Sequence, residues 1–169
     1  SDAAGALRYA AFTDGGHGGN PAGIVLDAAH LDEAARLAVA AEVGYSETAF
    51  VEPDGAAGSY RVRYFSPLAE VTFCGHATIA TAVALADRDG PRLLRFSTLA
   101  GLIEVSTTVT DDGVAATVVV TAMVLAAAAM TAARAILVRV AVFMMVSSDE
   151  PGGARTSGGP PAFVRGGGG

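Results

Sequence analysis

A segment that is apolar or small on nearly every side constrains the fold of this chain more than any other feature. It runs from His76 to Ala86 and offers no continuous polar face. A helix of this kind has to be covered all round by other parts of the protein, because water solvates none of its sides well. The sequence therefore predicts a central helix enclosed by the rest of the domain.

Strand patterns surround this helix. From Tyr60 to Phe65, tyrosine and valine alternate with arginine, as expected of a half-buried strand. Together with the segments given below, this pattern predicts an α+β fold, in which an antiparallel β-barrel wraps around the central helix. The other predicted strands are Tyr9 to Thr13, Ile24 to Leu26, Thr48 to Glu52, Leu93 to Thr98, Leu102 to Thr107 and Val114 to Thr121.

A second helix is predicted over Glu33 to Glu42. Asp32 precedes it as an N-cap residue, and Gly44 follows it as a stop. The apolar face of this helix is predicted to consist of Ala34, Leu37, Ala38 and Ala41. Earlier in the chain, Asn20-Pro21-Ala22-Gly23 has the composition of a turn.

Charge and cysteine content exclude several classes of protein. The formal net charge is −6, and the 11 lysines and arginines form no basic stripe, so nucleic acid is not an expected partner. The single cysteine, Cys74, excludes an intramolecular disulfide framework and fits a cytoplasmic protein. Because no Cys/His cluster has the spacing of a structural zinc site, no metal is expected.

The last third of the chain departs from this pattern. Gly113 to Ala133 has no charged residue and is long enough for a membrane span, but its β-branched start after an Asp-Asp-Gly turn favours a buried strand and helix. No membrane partner is therefore expected.

The predicted organisation is a lobe over residues 1–121, an apolar segment over 122–150 that is a partial second lobe or poorly assigned sequence, and a disordered Gly/Pro-rich tail over 151–169.

Two short segments carry the candidate chemistry. Gly44-Tyr-Ser-Glu-Thr-Ala-Phe50 holds Glu47 between a helix and a strand, where a carboxylate among apolar neighbours suits a general base. Phe73-Cys-Gly-His-Ala-Thr78 sets Cys74, Gly75, His76 and Ala77 at the start of the central helix, where free N–H groups attract anions. Spacing alone favours a solvated charge at a strand entrance for Glu47, and for His76 a helix cap or a core hydrogen bond.

Four blocks in order resemble the N-terminal half of the PhzF family of phenazine-biosynthesis isomerases. They are Asn20-Pro-Ala-Gly23, Ser46-Glu-Thr-Ala-Phe-Val51, Arg63-Tyr-Phe-Ser-Pro67 and Phe73-Cys-Gly-His-Ala-Thr78. The resemblance covers roughly residues 7 to 121 and implies a diaminopimelate-epimerase-like fold. In that fold two similar lobes, each a β-barrel around a central helix, enclose the active site between them.

The resemblance also implies a function for these residues. Glu47 would be the general acid/base that moves a proton, Gly75 and His76 with the N–H group of Ala77 would bind a substrate carboxylate, and Asn20 would line the cleft. No cofactor would be needed. The substrate would be a small carboxylate-bearing molecule. In phenazine biosynthesis, which is a form of antibiotic biosynthesis, that molecule is a dihydro-hydroxyanthranilate.

Two alternative functions follow from where the sequence departs from the family pattern. Residues 122–169 offer no counterpart of the second lobe, and no Asp or Glu occurs from 113 to 148, so a non-catalytic or vestigial single-lobe binding protein is the first alternative. The second is an amino-acid racemase or epimerase, with Cys74 as a candidate reactive thiol, although two-base thiol chemistry needs a second cysteine. A buried small hydrophobe is the commoner role of a lone cysteine.

Because a single lobe exposes an apolar face, a homodimer is expected.

Overall fold

The structure, a computed structural model, describes residues 5–13, 17–111, 113–119 and 144–148. Within these residues it contains two α-helices, α1 (Glu33–Val43) and α2 (Gly75–Asp89), and a short 3-10 turn at Ala28–His30. The strands are β1 (Leu7–Thr13), β2 (Asn20–Val25), β3 (Thr48–Pro53), β4 (Ser59–Phe65), β5 (Glu70–Val71), β6 (Leu93–Thr98), β7 (Gly101–Thr110), β8 (Gly113–Val119) and β9 (Met144–Ser148).

All of these strands belong to one sheet that closes on itself. Their order is β3-β2-β1-β9-β8-β7-β6-β4-β5, and a further pairing of β3 with β4 joins eight strands into a ring. The predicted barrel is thus confirmed, but its strands are not all antiparallel, since β2 pairs with β3 and β4 with β6 in parallel. The reason is that α1 connects the first pair and α2 the second, and a helical crossover returns the chain in the same direction.

The predicted central helix lies inside this ring. Every residue of α2 from Ala77 to Ala86 is buried, and the helix packs against β1, β2, β3, β7, β8 and β9. Large side chains such as Phe96, Leu85 and Tyr64 fill the space between helix and sheet and are almost fully buried. Burial of this apolar surface is the main stabilising contribution to the lobe.

The second helix has the predicted ends but a different buried face. The Asp32 side chain accepts a hydrogen bond of 2.8 Å from the N–H of Ala35, and Gly44 ends the helix with a φ of 73°. The buried residues are Arg36, Val39, Ala40 and Val43, whereas Ala34, Ala38 and Ala41 are exposed and Leu37 is half-buried. The predicted face was wrong because alanines on all sides make the faces of α1 similar in hydrophobicity. Valine packing and the ion pair of Arg36 with Glu52 decide the orientation.

The predicted turn at residues 20–23 is also wrong, because these residues form the first part of β2. Pro21 is tolerated there since β2 pairs with β3 only from Gly23 onward, so no partner on that side requires the missing N–H. At Gly23 the two strands approach closely. A Cβ atom there would lie 2.7 Å from Oγ1 of Thr48 and 2.9 Å from Cγ1 of Val43.

The described part of the C-terminal third belongs to the same sheet. Residues 113–119 of the uncharged segment form β8, and no helix among the described residues is long and apolar enough to cross a membrane. Residues 144–148, within the segment predicted as a partial second lobe, form β9 between β1 and β8. The rest of residues 122–150 and the predicted tail over 151–169 lie outside the described residues, so the division at residue 121 stays a prediction.

Candidate active site

The candidate residues lie at one edge of the barrel, where β2, β3 and α2 begin. The parallel strands β2 and β3 both start there, with Gly23 opposite Thr48, and β4 ends there, with Phe65 opposite Thr48. Glu47 precedes β3, and its carbonyl accepts a hydrogen bond of 3.2 Å from the N–H of Gly23. The first turn of α2 brings His76 to the same edge.

The side chains of Glu47, Cys74 and His76 meet at this edge. Oε2 of Glu47 lies 3.3 Å from Nε2 of His76. The sulfur of Cys74 lies 3.2 Å from Nδ1 and 3.7 Å from Nε2 of the same ring. The Glu47 side chain keeps 22% of its surface exposed and that of His76 keeps 10%, so the carboxylate is reachable from solvent while the ring is largely covered.

Burial sets the protonation of two of these groups. It lowers the pKa of His76 below its ordinary value, and the negative charge of Glu47 and the carbonyl of Pro21 only partly offset this effect. Burial also raises the pKa of the Cys74 thiol to about 11. The N–H of Ala77 opposes that rise, whereas the charge of Glu47 adds to it. At neutral pH the site therefore holds a neutral imidazole and a neutral thiol.

His76 has two further neighbours around its ring. The carbonyl of Pro21 accepts a hydrogen bond from the imidazole, and Oγ of Ser46 lies 3.4 Å from Nε2. Sequence reasoning assigned no role to Ser46, although its place directly before Glu47 in the same motif was a usable signal. Together these contacts orient the His76 ring between β2, Ser46 and the first turn of α2.

A buried polar chain supports the turn on which Cys74 and His76 lie. The hydroxyl of Tyr64 is 2.7 Å from Oγ1 of Thr78, which donates a hydrogen bond of 2.7 Å to the carbonyl of Cys74. The ring of Tyr64 packs edge to face against Phe73. Because each polar atom in this chain has a partner, the first turn of α2 is fixed relative to β4.

The other predicted site residues are Asn20, Gly75 and Ala77. Each is next in the chain to a residue that belongs to the cluster or contacts it. Asn20 is the exposed first residue of β2, next to the Pro21 whose carbonyl contacts the ring. Gly75 is the exposed first residue of α2, and Ala77 is fully buried, with its N–H near the Cys74 sulfur. Free N–H groups at such a helix start attract an anionic group. The binding roles assigned to Asn20, Gly75 and Ala77 stay predictions.

This arrangement can support proton transfer. A partly exposed carboxylate that faces a neutral imidazole can take a proton from a carbon and return it, and the helix start beside it favours a negative charge on the substrate. The thiol of Cys74 is protonated at neutral pH, so the hypothesis of a reactive thiolate gains no support from its surroundings.

Comparison with known proteins places these features in a family. The family model described as phenazine biosynthesis-like protein matches residues 9–158. The match extends beyond residue 121, where the motif resemblance to the PhzF family ends. It includes every residue of the cluster described above.

Individual relatives match a shorter part of the chain. The uncharacterized isomerase PA2770 of Pseudomonas aeruginosa is 45% identical over 97 residues, which cover 56% of this chain and 37% of that protein. The uncharacterized isomerase YfhB of Bacillus subtilis is 36% identical over 108 residues, covering 62% and 36%. The crystal structure of a PhzF-family phenazine biosynthesis protein from Bacillus anthracis superimposes with a TM-score of 0.59 at 38% identity, covering 67% and 39%. The chain thus spans less than two fifths of the length of these relatives.

Proposed function

The chain belongs to the phenazine biosynthesis-like protein family, and on that premise we propose that it acts as a cofactor-independent isomerase. It would move a proton on a small carboxylate-bearing substrate by general acid/base catalysis. The contact between Oε2 of Glu47 and Nε2 of His76, at the first turn of α2, is the observation that carries the proposal. Two relatives that are named as isomerases support it.

In the proposed reaction Glu47 is the group that moves the proton. Its carboxylate takes a proton from one carbon of the substrate and returns it to another as the double bonds shift, so no electrons enter or leave the substrate. His76 and the N–H groups of Gly75 to Ala77 hold the substrate carboxylate, which the positive end of α2 favours. Asn20, at the start of β2, lines the opening through which the substrate enters.

The matched pair Glu47→Gln and Glu42→Gln tests this proposal. Glu42 is an exposed glutamate on α1 and serves as the control for loss of one negative charge. With a dihydro-hydroxyanthranilate as the probe in deuterated water, we expect wild type and Glu42→Gln to form a deuterated isomer, which mass spectrometry detects. Loss of a general base costs about 10²- to 10⁴-fold in rate, so Glu47→Gln should form almost none.

A binding measurement separates this proposal from its alternatives. Anthranilate has the ring carboxylate but no proton to shift, so it reports binding alone. A protein that binds anthranilate but never incorporates deuterium would be the non-catalytic binding protein. A protein that turns over an amino acid, and loses that activity in Cys74→Ser, would be the racemase. Either result would contradict the isomerase.

We also propose that the lobe self-associates. Leu68 and Phe73, between β4 and α2, keep 91% and 42% of their surface exposed. Apolar side chains in such positions favour contact with another protein surface. Light scattering on the purified chain should give the mass of a homodimer, and a monodisperse monomer at micromolar concentration would contradict this expectation.

A further inference from the structure

Glu47, Cys74 and His76 are a set of metal-binding side chains as well as a site for proton transfer. One donor atom from each residue, an oxygen, a sulfur and a nitrogen, can be chosen so that all lie within 4.8 Å of one another. The sequence alone did not suggest this, because Glu47 lies far from Cys74 and His76 along the chain. The barrel brings the three residues together by pairing β3 with β2 around α2.

The distances between these donor atoms fit one metal ion. Around a tetrahedral zinc ion with its usual bond lengths, neighbouring donor atoms lie about 3.3 to 3.6 Å apart. The distance from Nε2 of His76 to Oε2 of Glu47 is 3.3 Å, and from the same nitrogen to Sγ of Cys74 it is 3.7 Å. The third pair, an oxygen of Glu47 and Sγ of Cys74, lies within 4.8 Å, so the three side chains can reach one ion after they reorient around it.

The surroundings of the three side chains fit a metal as well. A histidine that binds a metal through one nitrogen commonly donates the N–H of the other to a carbonyl group, and Pro21 offers such a carbonyl to the His76 ring. The sulfur of Cys74 lies in a buried side chain, whereas Glu47 is partly exposed. An ion can enter past the carboxylate and keep its fourth position open to solvent or to a ligand.

We propose that Glu47, Cys74 and His76 form a binding site for a thiophilic divalent cation such as Zn²⁺. Thiolate, imidazole and carboxylate together suit Zn²⁺, whereas Mg²⁺ and Ca²⁺ require oxygen ligands. On binding, the ion takes the place of the thiol proton, which passes to the solvent. A bound ion also occupies the carboxylate of Glu47 and blocks the proposed isomerase; this consequence rests on the proposed function, but the binding site does not.

Titration of the reduced, metal-free chain with Cd²⁺ tests the site directly. Cd²⁺ replaces Zn²⁺ at such sites and gives an ultraviolet charge-transfer band when a thiolate binds it. We expect one Cd²⁺ per chain, displacement by Zn²⁺ but not by Mg²⁺, and release of one proton per ion in weakly buffered solution. Since the chain has a single cysteine, a wild-type protein without this band, or without proton release, would overturn the proposal.

Variants then identify the other two ligands. Glu47→Gln and His76→Asn should each weaken Cd²⁺ binding at least about tenfold, since even residues behind the ligands contribute that much. The controls Glu42→Gln and His30→Asn change an exposed glutamate and an exposed histidine elsewhere, and should bind as wild type does. Unchanged affinity in both Glu47→Gln and His76→Asn would show that the lone thiol binds the ion, and would overturn the three-residue site.

Discussion

The two ends of α2 differ in how their charged groups are paired. At the C-terminal end, the hydroxyl of Tyr9 donates a hydrogen bond of 3.0 Å to Asp87, and Arg88 donates one of 2.9 Å to Asp89. The guanidinium of Arg88 holds the pKa of Asp89 below its ordinary value. Carboxylates are unfavourable at the negative end of a helix, and these donors offset that cost.

At the N-terminal end, the side chains beside Glu47 carry no positive charge at neutral pH. Its neighbours are the imidazole of His76, whose pKa is lowered by burial, and the thiol of Cys74, whose pKa is raised by burial. Among the described residues, Glu47 pairs with His76 and not with an arginine. The C-terminal end of α2 therefore anchors the helix in the barrel through paired charges, whereas at the N-terminal end the Glu47 carboxylate lies beside an imidazole and a thiol rather than beside a cation.

The largest expected effect at the N-terminal end, apart from loss of the base, is that of His76→Asn. A hydrogen bond to a charged group contributes about 1.5 to 3 kcal/mol, so losing the contact to the substrate carboxylate should lower kcat/KM about ten- to hundredfold. His30→Asn is the matched control, since His30 is exposed and contacts the carbonyl of Asp27. Equal kcat/KM values for the two variants would mean that His76 does not bind the substrate.

A clash behind Glu47 should damage both stability and activity. In Gly23→Ala the new methyl group would lie 2.7 Å from Oγ1 of Thr48, the residue after Glu47. Such overpacking costs about 1 to 3 kcal/mol, and the shift of β3 should move Glu47 and slow turnover. Urea unfolding and initial rates measure the two effects. A variant with wild-type stability would show that β2 and β3 separate without cost.

At the other end of α2, Tyr9→Phe removes a hydrogen bond without changing the shape of the ring. The bond to Asp87 is solvent-exposed, so the expected loss is about 0.5 to 1.5 kcal/mol of unfolding free energy. Turnover should be unchanged, because Tyr9 lies at the end of the helix away from Glu47. Urea denaturation measures the loss, and slower turnover in this variant would break the division between the two ends.

The same tyrosine predicts a smaller effect of pH. Burial and the neighbouring Asp87 raise the pKa of Tyr9 from 10.0 to about 12 in the folded chain. Between these values the unfolded chain loses the phenolic proton while the folded chain keeps it, so stability falls as pH rises from about 10 towards 12. Tyr64, whose pKa burial also raises, contributes in the same direction. The difference in this slope between wild type and Tyr9→Phe isolates Tyr9, and identical slopes would contradict its raised pKa.

Local signals in the sequence predicted the elements well. The cap at Asp32, the stop at Gly44 and the alternation along β4 concern neighbours in the chain, and the structure confirms all three. The buried face of α1 was not predictable in this way, because Arg36 faces inward only through its contacts with Glu52 and the carbonyl of Ala28. The short strand β5 and the 3-10 turn carry too few residues for a periodic signal.

The candidate site could be predicted only in part, for a similar reason. Glu47 and His76 were recognised from their motifs, but their contact depends on how β2, β3 and α2 come together at one edge of the barrel. The approach of Cys74 to Glu47, and of Ser46 to the ring of His76, also depends on that edge. The sequence shows which residues are neighbours within each motif, but not that the two motifs meet.

One experiment tests the division between the two ends of α2 most directly, by measuring unfolding free energy and turnover for both Glu47→Gln and Tyr9→Phe in the same buffer. The account predicts that Glu47→Gln loses at least about a hundredfold in rate and keeps its stability, while Tyr9→Phe loses stability and keeps its rate. Wild-type turnover in Glu47→Gln, or a loss of rate in Glu47→Gln that merely follows a loss of stability, would contradict the assignment of Glu47 as the catalytic base.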